Sequence, residues 1–131
     1  MILVDTDVVS YIFKLHPLAD PFIPALEGHP LFISFMTLAE IEHGMAIAKW
    51  GDRSQHRMRR HLSKYEVVNS NRDLCRLWGA VMEESTSKGR RISQEDAWIA
   101  ATALHLNLPL ATNNRKDFDH LDRLRFVVAL T

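Results

Sequence analysis

Five acids stand where strands end or where helices turn inward: Asp5, Asp7, Glu40, Asp96 and Asp117. Asp5 directly follows the apolar run Ile2-Leu3-Val4, so it is expected at the carboxyl edge of a strand, the edge where open α/β sheets hold ligands. As a turn residue Asp is also common there. Glu40 shares spacings of three and four with Thr37, Ile41, Gly44 and Met45, a small and apolar stripe. Glu42 lies about 200° further round the same helix and is expected in solvent. Asp96 heads a stripe of Ala100, Ala103 and Leu104, although Ser93-Gln94-Glu95-Asp96 also reads as a capping box with an acid in the third position. Asp7 suits a helix cap, and Asp117 suits a solvated loop. Three or four carboxylates at one sheet edge repel one another unless a cation offsets them, and oxygen ligands suit Mg²⁺ or Mn²⁺. Zinc is not expected, because no Cys or His pair has ligand spacing; His56 and His61 are expected on the surface, pointing to different sides.

The elements that must position these acids follow in order. Ile2 to Val4 reads as a strand, followed by a helix capped by Asp7 with Val8, Val9, Ile12 and Phe13 on its apolar face. Pro17, Pro21 and Pro24 interrupt the chain before a second strand, Leu31 to Ser34, and a helix from about Met36 to Trp50 that Gly51 stops. A basic helix from about Arg53 to Lys64, a third strand at Tyr65 to Val68 and a long helix from about Arg72 to Lys88, closed by Gly89, come next. Ser93 caps a helix from Gln94 to Leu106, and Asn107 ends it. Pro109 opens a strand through Leu110 and Ala111, and a last strand is expected at about Arg125 to Ala129. Strands alternating with helices imply βαβ units, hence an α/β fold with a parallel sheet covered on both faces.

A chain of 131 residues with 47% hydrophobic content can bury one core and is short for two, so residues 1–131 are expected to form one domain. No run approaches the ~18 apolar residues of a membrane span, and the first residues carry no basic flank or cleavage site. An intracellular, cytoplasmic protein is expected. The one cysteine, Cys75, has no disulfide partner and is expected as a small buried apolar residue. The net charge of zero hides an asymmetry: residues 49–91 hold 11 of the 16 Lys and Arg against 5 acids, a net +6. A basic surface and an acidic site can therefore coexist.

Four blocks carry a family likeness: Ile2-Leu3-Val4-Asp5-Thr6-Asp7, Thr37-Leu38-Ala39-Glu40-Ile41-Glu42-His43-Gly44, Asp96-Ala97-Trp98-Ile99-Ala100-Ala101-Thr102-Ala103, and Thr112-Asn113-Asn114-Arg115-Lys116-Asp117-Phe118. In kind, order and spacing they resemble the motifs of VapC toxins, the PIN-domain ribonucleases of type II toxin–antitoxin systems, over almost the whole chain from Ile2 to about Val128. The resemblance implies a PIN fold with a five-stranded parallel sheet in the order 3, 2, 1, 4, 5 between helices. It carries the family's acidic site onto Asp5, Glu40, Asp96 and Asp117, with Thr6, Asp7, Thr112 and Asn114 in supporting places. Asp7 stands where Asn is commoner, and Asn114 is an alternative to Asp117 as the fourth site residue. By the same resemblance Asp5 and Asp96 are the principal ligands of Mg²⁺ or Mn²⁺, Glu40 is a further ligand or a water-orienting base, and the reaction is endonucleolytic hydrolysis of cellular RNA that inhibits translation and growth.

The resemblance also implies partners: a cognate VapB-type antitoxin whose C-terminal segment crosses the site, the RNA itself, and a second copy in a homodimer that can enter a larger toxin–antitoxin assembly, with no membrane involved. Arg53, Arg57, Arg59, Arg60 and Lys64, with Lys88, Arg90 and Arg91, then fit an RNA-tracking surface or a face for an acidic antitoxin segment. Two other readings stay open on the residues alone. Asp5-Thr6-Asp7-Val8-Val9 also resembles the opening of haloacid-dehalogenase-type phosphatases, although Lys116, Asp117 and Asp119 imitate the rest of that site poorly. The second is a non-catalytic, degenerate PIN or receiver-like binding module. The scattered glycines disfavour a dinucleotide-binding enzyme.

Overall fold

A computed structural model describes residues 1–129. Four short strands, β1 (Ile2–Val4), β2 (Leu31–Ser34), β3 (Glu66–Val68) and β4 (Leu110–Ala111), form a parallel sheet in the order β3-β2-β1-β4. Six α-helices connect them: α1 (Thr6–Phe13), α2 (Ile23–Leu26), α3 (Phe35–Ile47), α4 (Asp52–Leu62), α5 (Arg72–Ser87) and α6 (Gln94–Leu106). Central strand β1 pairs Leu3 with Phe32 on one side and with Leu110 on the other.

All three β1 residues are buried because the sheet is covered on both faces. Ile2 and Val4 enter one core with Val8 and Val9 of α1, Ile41 and Met45 of α3, and Met58 and Leu62 of α4. Leu3 points the opposite way, into a core with Leu74 and Val81 of α5 and the alanine-rich face of α6. The alanines give α6 a small, buried face, and its most extensive helix contact is with α5.

The strands end at one edge, and their ends do double duty. Ser34 closes β2 and caps α3, its hydroxyl accepting from Met36 N at 3.0 Å. Asp5 follows β1 and caps α1, accepting from Thr6 N at 2.8 Å. Asp5 rather than Asp7 is thus the cap; helix α1 starts one residue after the strand, which places Asp7 inside its first turn.

Other expectations need correction. Helix α3 ends at Ile47, and the left-handed turn falls on Lys49, with φ of 55°, rather than on Gly51. Trp50, just beyond, returns its N–H to Met45 O and stacks on Phe13, a hydrophobic closure that outweighs the cost of a non-glycine residue there. Gly51 instead caps α4. The expected fifth strand is reduced to a single parallel bridge, Phe126 to Leu110, because β4 offers only two residues before it turns into the site. Its place beside β4 keeps the expected order, but the sheet has four strands. Cys75 is exposed: α5 buries Leu74, Val81 and Ser85, and the position after Leu74 falls off that stripe. His61 is half-buried between the rings of Phe13 and Tyr65, while His56 is exposed. The segment between α1 and β2 folds into a short 3₁₀ turn at Pro17–Ala19 and the single turn of α2, each with a proline in its first turn. Among the described residues no helix is long and apolar enough to cross a membrane.

Candidate active site

The carboxyl edge of the sheet gathers Asp5, Asp7, Glu40 and Asp96, with Asp117 close by. Asp5 lies deepest, only 5% exposed, and uses both oxygens: Oδ1 accepts from Thr6 N, and Oδ2 accepts from Thr112 Oγ1 at 2.8 Å. Thr112 follows β4, so this bond ties the ends of two adjacent strands. Asp7 reaches across to the same loop, where its Oδ2 accepts from Asn113 N and from Asn114 Nδ2, both at 3.1 Å.

Glu40 is half-buried on α3. Its Oε1 lies 2.8 Å from Thr6 Oγ1, which in turn lies 2.9 Å from Thr37 Oγ1. A hydroxyl carries one proton, so Thr6 gives its proton to the carboxylate and Thr37 completes the chain. Glu42 points into solvent and pairs with Arg59 at 2.7 Å. Asp96 sits in the first turn of α6, and its N–H donates to the capping Ser93 hydroxyl. Asp117, at the end of the 3₁₀ turn Arg115–Asp117, is exposed.

Burial and mutual repulsion drive these acids the same way. Burial, then the charges of Asp7 and Asp96, push Asp5 from 3.8 up to about 8, against the hydrogen bonds from Thr112 and Thr6. Burial, then Asp117, Glu40 and Asp7, push Asp96 up to about 6. Asp7 and Glu40 are also raised, chiefly by burial. The fourth site position divides accordingly: Asp117 acts on Asp96, whereas Asn114 is engaged with Asp7.

Among the described residues none of these five carboxylates forms a salt bridge. When ionised they repel one another, and the donor set, all oxygen, fits a hard divalent cation. No three of the described His, Cys, Asp or Glu side chains close into a ready-made cage.

The PIN domain model matches residues 2–124, nearly the whole of this architecture. The chain belongs to the PIN domain family. It is 29% identical to ribonuclease VapC1 of Haemophilus influenzae over 95% of this chain and 94% of that one. It is also 29% identical to ribonuclease VapC2 of Rickettsia felis, covering 93% and 92%. The crystal structure of VapBC2 from Rickettsia felis, bound to a DNA fragment from its promoter, superposes with a TM-score of 0.84 at 26% identity, covering 96% of this chain and 97% of that one.

Around the acidic edge of this PIN domain the basic residues differ in how they are engaged. On α4, Arg57 lies over the Phe13 ring at 5.5 Å, Arg53 and Arg60 are exposed, and Arg59 is taken by Glu42. Arg90 donates to Lys116 O at 2.9 Å and meets Asp119 at 3.3 Å; Arg91 is exposed. Lys88 binds Glu84, Asp122 and the carbonyl of His120. Ser85 Oγ lies 2.7 Å from His120 Nε2 in a buried contact. Together these bonds clamp the segment bearing Asp117 onto the end of α5.

Three contacts escaped the sequence reading. Spacing places Thr37 on the stripe of Glu40, but does not show its bond to Thr6. The Asn113 contact to Asp7 runs through the backbone, which leaves no side-chain signal. The Ser85–His120 contact joins residues 35 apart that no motif links.

Proposed function

We propose that this chain is a Mg²⁺- or Mn²⁺-dependent endoribonuclease and the toxin of a VapBC-type pair, cutting cellular RNA and thereby inhibiting translation and growth. The observation that carries the reading is the convergence, in a PIN domain, of Asp5, Glu40, Asp96 and Asp117 on one sheet edge, none of them in a salt bridge among the described residues. Asp5, directly after β1, and Asp96, on α6, are the principal ligands; Asp117 completes the second metal or the outer shell. The cation, when bound, supplies positive charge for an attacking water and for the leaving oxygen of an in-line phosphodiester displacement. Glu40 orients that water and takes its proton, and its raised proton affinity suits a base. Thr6 holds Glu40 in place, and Thr112 fixes the plane of Asp5. Asp7 braces the loop that carries Asn113 and Asn114.

The VapBC complexes among the solved relatives support a cognate VapB-type antitoxin as partner. A homodimer in the cytoplasm, able to join a larger toxin–antitoxin assembly, belongs to the same reading. The phosphatase alternative requires a free acid/base two residues after Asp5, yet both oxygens of Asp7 already accept hydrogen bonds.

The test is cleavage of total cellular RNA by antitoxin-free protein under Mg²⁺, Mn²⁺ and EDTA, with Asp96→Asn in parallel and the new 5′ ends mapped. Discrete, metal-dependent cuts missing from the variant are expected. Wild type that cuts nothing under either metal would remove the reading and leave a binding module.

A further inference from the structure

Three neighbouring cavities share lining residues, and the first of them is lined by Glu40. The first, about 160 Å³, has Thr6 and Glu40 at one end and Lys14 and Trp50 at the other. The second, about 340 Å³, shares Lys14 and Trp50 and adds Phe13 and Arg57. The third, about 270 Å³, shares Phe13 and Arg57 and adds Arg60, His61 and Lys64. They make one open trough, running about 12 Å along α1 from Thr6 to Lys14 and then across α4.

Charge changes sign along it. Glu40 is the one carboxylate lining any of the three, and it stands at the inner end; beyond it the walls carry Lys14, Arg57, Arg60 and Lys64. Phe13 and Trp50, stacked with centroids 5.9 Å apart, supply aromatic wall between these cations. A run of cations along a groove is the composition that tracks the phosphates of a single strand. A strand cut at the acids needs cations for its next phosphates, and this trough opens beside Glu40.

We infer that single-stranded RNA leaves the acidic edge along this trough, its phosphates on Lys14, Arg57, Arg60 and Lys64. The inference rests on the ribonuclease reading and narrows it. Arg53 lines none of the three cavities and takes no part. Lys14, which caps the C-terminal end of α1 and lies outside the basic segment, does.

The experiment is anisotropy of a short fluorescein-labelled oligouridine over a salt series, with the full chain carrying Asp96→Asn in constant Mg²⁺ so that the strand stays intact. Lys14→Gln, Arg57→Gln and Arg60→Gln are each expected to flatten the slope of log K against log salt by about 0.7, and Arg53→Gln to leave it unchanged. An Arg53→Gln effect equal to that of Arg57→Gln, or no change in any variant, overturns the trough. So does weakened binding of an oligoglutamate peptide with oligouridine binding intact, which would mark a protein-docking groove. Cleavage of total RNA by the wild-type chain is read separately: its absence removes the ribonuclease reading and this inference together, whereas cleavage with unchanged slopes removes the trough alone.

Discussion

Thr112 donates to Asp5 Oδ2 at 2.8 Å across 107 residues of sequence, and this bond works directly against the burial that raises the Asp5 carboxyl. Thr112→Val keeps the shape and removes the donor. The Mg²⁺ concentration for half-maximal RNA cleavage is expected to rise about 10–100-fold, as for other groups that orient a metal ligand. Thr112→Ser should restore most of the affinity. A valine variant with unchanged metal dependence would leave Asp5 without this support in the mechanism.

Glu40 and Glu42 make an internal comparison on one helix. Glu40→Gln is expected to lower kcat by about 10²-fold or more, the range of a lost general base, with little change in melting temperature. Glu42→Gln breaks an exposed pair with Arg59 and should leave the melting temperature nearly unchanged while cleavage continues. Steady-state cleavage beside thermal melts separates the two. Equal loss of activity in both variants would contradict the geometry.

That comparison also shows which parts of the molecule could be read in advance. The inward stripe through Thr37, Glu40, Ile41 and Met45 is a matter of helical period, which sequence displays directly. Ser93 and Asn107 bound α6 as expected, because capping chemistry is local. The errors arose where tertiary packing overrode a local signal. Trp50 stacking on Phe13 moved the helix end away from Gly51, and the early start of α1 passed the cap from Asp7 to Asp5. Packing of Phe13 on α1 against His61 on α4 joins two elements far apart in sequence and has no periodic signature. The same holds for the fifth strand, whose apolar residues promised a ladder that a two-residue β4 could not supply.

The clamp on the Asp117 segment has its own consequence. Ser85→Ala removes the partner of His120 Nε2 in a site where His120 Nδ1 already lacks one, so a loss of about 1–3 kcal/mol is expected in denaturant unfolding. Arg90→Ala removes only exposed bonds to Lys116 O and Asp119 and should leave global stability nearly unchanged. Its effect is expected locally, as faster amide exchange over residues 115–122 and weaker apparent Mg²⁺ affinity, both partly rescued by Arg90→Lys. Exchange rates equal to wild type would show that the segment holds itself.

Asp5 and Asp96 set the pH dependence of the metal-free protein. Both bind protons more tightly folded than unfolded, so between 3.8 and about 8 the folded state carries more protons. Stability therefore falls as pH rises through that window, opposite in sign to a carboxylate held by a salt bridge. Melting in EDTA is expected to show a higher temperature near pH 5 than near pH 8, with most of the fall removed by Asp5→Asn. Mg²⁺ should restore stability chiefly at the upper end, because binding requires the ionised acids and opposes their repulsion. A melting temperature that rises with pH in EDTA, or Mg²⁺ stabilising equally at both ends, would mean that these carboxyls ionise at ordinary values and that the edge does not hold the strain its burial implies.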